Sequence, residues 1–180
     1  MKRIILITGG QRSGKSSKAE ELALSLSDHP VYLATAHIWD EEFSERVRRH
    51  QERRGPQWTN IEEEMTLSKH DVTGRVVVID CVTLWLTNIL YREELIVKSE
   101  EFATLNSSLN LAKAEFDKFT ATDATYIFVT NEIGSGGVSD NALQRKFTDL
   151  QGWMNQYIAS KADEVILMVS GLPVVIKTDH

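Results

Sequence analysis

Gly9-Gly10-Gln11-Arg12-Ser13-Gly14-Lys15-Ser16 satisfies the pattern G-x-x-x-x-G-K-[ST] in full. Glycines so spaced let backbone N–H groups converge on phosphate oxygens, and a helix opening at Ser16 adds the positive end of its dipole. In this pattern the Lys15 ammonium reaches the β- and γ-phosphates of a nucleoside triphosphate, and the Ser16 hydroxyl ligates Mg²⁺. The magnesium shell also needs a carboxylate at the end of a neighbouring strand. Asp80, closing the apolar run Arg75–Asp80, is the candidate; the competing reading makes it a helix cap for Thr83–Tyr91. Glu132, after the run Thr125–Thr130, is a second carboxylate expected at the same sheet edge.

The segment Asp40–Pro56 carries a different chemistry. Arg46, Arg48, Arg49, Arg53 and Arg54 crowd around His50 on an expected helix that Asp40 can cap. Two readings stand side by side. Phe43, Val47 and His50 share one stripe, so periodicity alone favours a core-edge histidine, with the arginines paired to Glu41, Glu42, Glu45 and Glu52. Alternatively, arginines bind phosphate oxygens bidentately and a histidine among them attacks phosphorus. Neighbouring cations lower an imidazole pKa, which keeps it neutral and nucleophilic. His29, His37, His70 and His180 have no such surroundings and are expected on loops or the surface.

The elements that must position these groups follow from hydrophobic pattern. Strands are expected at Arg3–Thr8, Val31–Thr35, Arg75–Asp80, Thr125–Thr130, Glu164–Ser170 and near Val174–Lys177. Val76-Val77-Val78-Ile79 has no polar alternation, as in strands covered on both faces of a parallel sheet. Helices are expected at Ser16–Leu26, with Ala19, Leu22, Ala23 and Leu26 inward, and from about Glu100 to Phe119. A third spans Asn141–Ala162, with Asp140 as its cap and Leu143, Phe147, Leu150, Met154, Tyr157 and Ile158 as its apolar stripe. The prolines Pro30, Pro56 and Pro173 are expected in short loops. Strand–helix alternation over residues 1–180 gives one α/β nucleotide-binding domain with a doubly wound sheet.

Composition sets the outer bounds. With 180 residues, 42% hydrophobic and 26% charged, the chain is an ordinary globular one. The net charge of −6 argues against nucleic acid as a partner. No apolar run reaches the ~20 residues of a membrane span. The basic start Met1-Lys2-Arg3 leads into a phosphate loop rather than a cleavage site, so the reading is cytosolic. The single cysteine, Cys81, excludes an intramolecular disulfide and reads as a buried, unreactive thiol.

Taken in order, these segments resemble the bifunctional adenosylcobinamide kinase/adenosylcobinamide-phosphate guanylyltransferases. The likeness runs through Ile7–Ser16, Tyr32-Leu33-Ala34-Thr35-Ala36, Arg46-Val47 with His50, then Trp58 and Glu62. It continues through Asp80–Asn88, Thr130–Gly134, Asn141-Ala142-Leu143, Ala162–Val165 and Ser170–Pro173. The resemblance implies a P-loop NTPase fold with a RecA-like, mostly parallel sheet and a homotrimer. It implies phosphorylation of adenosylcobinamide by ATP or GTP, then transfer of GMP from GTP through a covalent histidine–GMP. By position the histidine is His50, the opposite of what periodicity alone favours. The same likeness assigns Gly9–Ser16, Ala34-Thr35-Ala36, Arg53, Glu62 and Asp80-Cys81 to the nucleotide site, with Glu62 as guanine partner. Three departures stand out: Asn60 where the family has Thr, Arg54-Gly55-Pro56 for Arg-Pro, and Gly136-Gly137-Val138-Ser139 for Gly-Ile-Val-Pro. A monofunctional P-loop kinase of another small alcohol or nucleoside is the runner-up, and a RecA-type regulatory or nucleic-acid module the third reading.

Overall fold

In the computed structural model, residues 1–37, 45, 48, 52, 54–96 and 101–178 are described. His50 and Arg53 lie outside them, as does most of the helix expected over Asp40–Pro56.

Seven strands form one sheet: β1 (Arg3–Gly9), β2 (Val31–Ala34), β3 (Thr59–Glu62), β4 (Val76–Asp80), β5 (Thr125–Val129), β6 (Glu164–Val169) and β7 (Leu172–Thr178). Their order is β3-β2-β4-β5-β1-β6-β7, all parallel except β7, which runs antiparallel to β6. The helices among the described residues are α1 (Lys15–Leu26), α2 (Val82–Ile96), α3 (Glu101–Phe119) and α4 (Ala142–Lys161).

The both-faced apolar strands do what their pattern demands. Ile4 and Leu6 of β1 pack under α2, α3 and α4 in a core with Trp85, Leu86, Phe116, Leu150, Met154 and Ile158. Ile5 and Ile7 face the other way, toward Ala19 and Ala23 of α1 with Val78, Ile127 and Val129. Two cores thus sandwich the sheet, and the C-terminal ends of six parallel strands open on one edge.

Three expectations need correction, and one strand, β3, is not among those expected. Asn141, not Asp140, caps α4: its Oδ1 accepts from the Gln144 N–H at 3.0 Å, and Asp140 lies one residue before the cap. Leu143 is 52% exposed and Leu26 42% exposed, each in a terminal turn of its helix. Pro173 lies inside β7, tolerated on an edge strand because its missing N–H is not needed for the ladder. The edge strand β3 carries no apolar signal in the sequence, since Thr59, Asn60 and Glu62 are exposed.

Glu63 shapes the connection from β3 to the short 3-10 turn Leu67–Lys69. Its Oε1 accepts from the N–H groups of Met65 (3.0 Å) and Thr66 (2.9 Å), while Oε2 lies 3.2 Å from His70 Nε2. Burial alone would raise its pKa, but the Thr66 and Met65 N–H groups, His70 and Lys69 together hold it below the usual value of 4.5. A depressed carboxyl contributes stability above its unfolded pKa and loses it as pH falls through the folded value. Glu63→Gln is therefore expected to cost about 1 kcal/mol at pH 7 and less at pH 3, read from urea midpoints. An equal loss at both pH values would contradict this.

Candidate active site

The loop between β1 and α1 uses three left-handed conformations, two of them at glycine. Gly9 has φ 151°, and a Cβ there would stand 2.5 Å from the Met168 carbonyl oxygen and 2.7 Å from Ser13 Oγ. Gly14 has φ 96° at the N-cap of α1, and Arg12, at φ 61°, is held left-handed between them. The loop is braced from the β6–β7 turn, where Gly171 N–H donates to the Ser13 carbonyl at 3.0 Å. Gln11 and Arg12 are exposed, Ser16 is half-buried at the first turn of α1, and Ser13 is buried.

Lys15 is only 8% exposed, and its Nζ donates to the Gly10 carbonyl at 2.5 Å and lies 3.4 Å from Ser13 Oγ. Burial lowers its pKa, and the charge of Asp80, then Cys81, pulls the other way. Asp80 is thus close enough to Lys15 to be felt electrostatically.

Asp80 ends β4 at the same edge, and its carboxylate accepts from the Tyr32 hydroxyl at 2.5 Å. This bond takes the side chain away from helix capping. Tyr32 is buried; burial first, and then the neighbouring Asp80, raise its pKa well above the ordinary value, so it stays a donor. The Arg54 guanidinium lies 3.5 Å from the Tyr32 ring centroid, and Trp58 meets the ring edge-on at 5.9 Å. Arg54 Nε donates to Asn60 Oδ1 at 3.0 Å. Two of the family departures, Asn60 and the Arg54 segment, therefore answer one another.

Thr35, fully buried, clamps the ends of β2 and β4. Its Oγ1 accepts from Cys81 N–H at 2.9 Å and donates to the Cys81 carbonyl at 2.7 Å, across a cis Asp80–Cys81 peptide. The Asn88 amide reaches back from α2 to the Thr35 carbonyl (2.8 Å) and the Glu64 carbonyl (3.0 Å). Burial, then Asp80, pushes the Cys81 thiol up to about 12, which keeps it protonated and unreactive.

The parallel register brings most of the expected residues together. Gly9–Ser16 end or follow β1, Ala34-Thr35-Ala36 end or follow β2, Glu62 ends β3, and Asp80-Cys81 end or follow β4. Ala34 pairs with both Glu62 and Asp80 across the ladders. Glu132 N–H donates to the Gly9 carbonyl at 3.0 Å, but its carboxylate turns back to Gly134 N–H at 2.9 Å. His29 is exposed, while His37 and His70 are partly exposed and face Glu64 and Glu63. Sequence reasoning missed the roles of Tyr32, Arg54 and Asn88. A tyrosine inside the apolar run of β2 and an asparagine inside the apolar stretch of α2 were the available signals.

Comparison with known proteins gives the family and the fold. Residues 5–176 match the family described as cobinamide kinase / cobinamide phosphate guanyltransferase. The bifunctional adenosylcobalamin biosynthesis protein CobP of Pseudomonas aeruginosa is 36% identical over 176 residues, covering 96% of each chain. Its counterpart CobU of Escherichia coli K12 is 36% identical over 184 residues, covering 97% of this chain and 99% of that one. Among solved structures, a type III secretion ATPase of pathogenic bacteria superposes with a TM-score of 0.60 at 12% identity, covering 93% of this chain and 52% of that one. That likeness is one of fold, and the fold is that of the α/β P-loop NTPases. The chain belongs to the cobinamide kinase / cobinamide phosphate guanyltransferase family.

Proposed function

We propose that this chain phosphorylates the aminopropanol hydroxyl of adenosylcobinamide and then transfers GMP from GTP to adenosylcobinamide phosphate, giving adenosylcobinamide-GDP and pyrophosphate. The observation that carries the reading is a complete, braced phosphate loop with Lys15 and Asp80 at one sheet edge, in a chain of this family.

In the kinase step the substrate hydroxyl attacks the γ-phosphorus of ATP or GTP, and the nucleoside diphosphate leaves. Lys15 and the N–H groups of Gly9–Ser16 hold the charge that develops on the phosphates. In the transfer step a His50 imidazole nitrogen attacks the α-phosphorus of GTP and expels pyrophosphate. The phosphate of the cobinamide substrate then displaces histidine from GMP, and His50 returns free. Arg53, Ala34-Thr35-Ala36, Glu62 and Asp80-Cys81 complete the nucleotide site. The Glu62 carboxylate accepts from guanine N1–H and the exocyclic amine, a pair adenine does not offer.

Among the described residues no three His, Cys, Asp or Glu side chains gather as a metal cluster. This suits Mg²⁺, which prefers one or two protein oxygens with phosphate and water around them. Ser16 and Asp80 fit that demand, and Mg²⁺ when bound neutralises phosphate charge. Tyr32 orients the Asp80 carboxylate for it.

We further propose a homotrimer acting in the cytosol. The number three rests on the family resemblance; within the fold, β7 is an edge strand with Leu172, Val174, Val175 and Ile176 all at least half exposed, a surface that association would cover. Sedimentation should give about three times the chain's 20.4 kDa.

The direct test of function is incubation with adenosylcobinamide, ATP, GTP and Mg²⁺. Formation of adenosylcobinamide phosphate and then adenosylcobinamide-GDP is expected. Phosphorylation of some other alcohol, with no GMP transfer, would return the monofunctional kinase.

A further inference from the structure

A cleft of about 640 Å³ lies between α2 and the start of α4, in the helical layer on the side of the sheet opposite α1. Pockets for organic ligands fall in the same range of volume. Leu90 and Tyr91 line one wall, Leu143 and Phe147 the other, with Thr87 and Gln144 as polar points between them. None of the described residues lining it is charged. Tyr91 is 51% and Leu143 52% exposed, so large apolar side chains stand open to solvent at its mouth.

The cleft is tied to the phosphate loop by a short chain of contacts. Gly9 carbonyl accepts from Glu132 N–H at 3.0 Å, and Thr83 Oγ1 at the start of α2 accepts from Asn131 N–H at 3.1 Å. Thr87 stands one turn further along α2, about 6 Å from Thr83. The segment between β5 and α4 is anchored beneath by Thr130, Gln151 and Asn155, joined at 2.7–2.9 Å. The cleft is therefore connected to the phosphate loop through the start of α2 and the segment after β5, one helical turn beyond Thr83.

We propose that this recess seats the corrinoid acceptor, with Leu143 and Tyr91 as its principal contacts. The proposal rests on the activity given under Proposed function. An uncharged recess offers nothing to a triphosphate. It suits a broad macrocycle rimmed with methyl and primary amide groups: the apolar walls take the former, while Gln144 and Thr87 hydrogen-bond the latter. The aminopropanol arm then spans the remaining distance to the phosphate loop. Ser139, which also lines the recess, belongs to the Gly136–Ser139 departure from the family pattern.

The test uses the full-length enzyme with Leu143→Asp and Tyr91→Ala, and Leu111→Asp as a control. Leu111 is 41% exposed on α3 and outside the cleft. Steady-state transfer is measured against adenosylcobinamide phosphate and against GTP. Both cleft variants should raise KM for the corrinoid about tenfold or more while moving KM for GTP less than about twofold. The control should move neither. An unchanged corrinoid KM, an equal rise for both substrates, or the same rise in the control would overturn the assignment. Failure of the underlying activity looks different, since the wild type itself would then form no adenosylcobinamide-GDP.

Discussion

Lys15→Ala is expected to slow phosphorylation and GMP transfer alike, each by about 10³-fold, or about 4 kcal/mol of barrier. The ammonium is almost wholly buried in the loop, between the Gly10 carbonyl and Ser13 Oγ, and it feels the charge of Asp80. A charge held in so sheltered a place stabilises phosphate oxygens far more than an exposed lysine would. Both reactions build negative charge on the same triphosphate, so one residue serves both. The loss should fall on kcat, with the melting temperature nearly unchanged, because the loop's turns depend on Gly9, Gly14 and the Gly171 brace rather than on Lys15. A kinase rate lost with transfer intact would mean that the two reactions use different phosphate sites.

The second large effect concerns the frame. Trp85 is fully buried on α2, and its indole N–H donates to the Met65 carbonyl at 3.0 Å. Trp85→Ala removes the largest buried side chain of the α2–α4 core and leaves that carbonyl without its donor. The expected loss is about 3–5 kcal/mol, which for a chain of this size lowers the melting temperature by roughly 10 °C. Trp153→Ala is the matched control, since Trp153 on α4 is 37% exposed. It should cost less than half as much. Equal losses would show that indole burial in this core is not what stabilises the fold.

How much of the fold and site is legible in the sequence depends on whether a signal is contiguous. The phosphate loop is eight adjacent residues, and β1, β4 and β5 announce themselves because both their faces are buried. By contrast β3 is an edge strand of Thr59-Asn60-Ile61-Glu62, held by its ladder to β2 with Ile61 alone packed against the core, too little for an apolar pattern. Asp140 and Asn141 have similar capping chemistry, and only the actual helix start distinguishes them. The hydrogen bond from Tyr32 to Asp80 joins positions 48 residues apart, and Arg54 completes it from a third segment. Such an arrangement exists only once β2 and β4 are neighbours. The recess between α2 and α4 is hidden for a related reason: Leu143 has the spacing of a core residue, yet it sits one turn beyond the core.

The most direct test of the central claim is transfer of label from GTP to the protein. Wild type and His50→Ala are incubated with Mg²⁺ and GTP labelled at the α-phosphate, denatured, and counted. The wild type is expected to carry label that is acid-labile and alkali-stable, and the variant none. Absence of label from folded, GTP-bound wild type, or its persistence in His50→Ala, would contradict it.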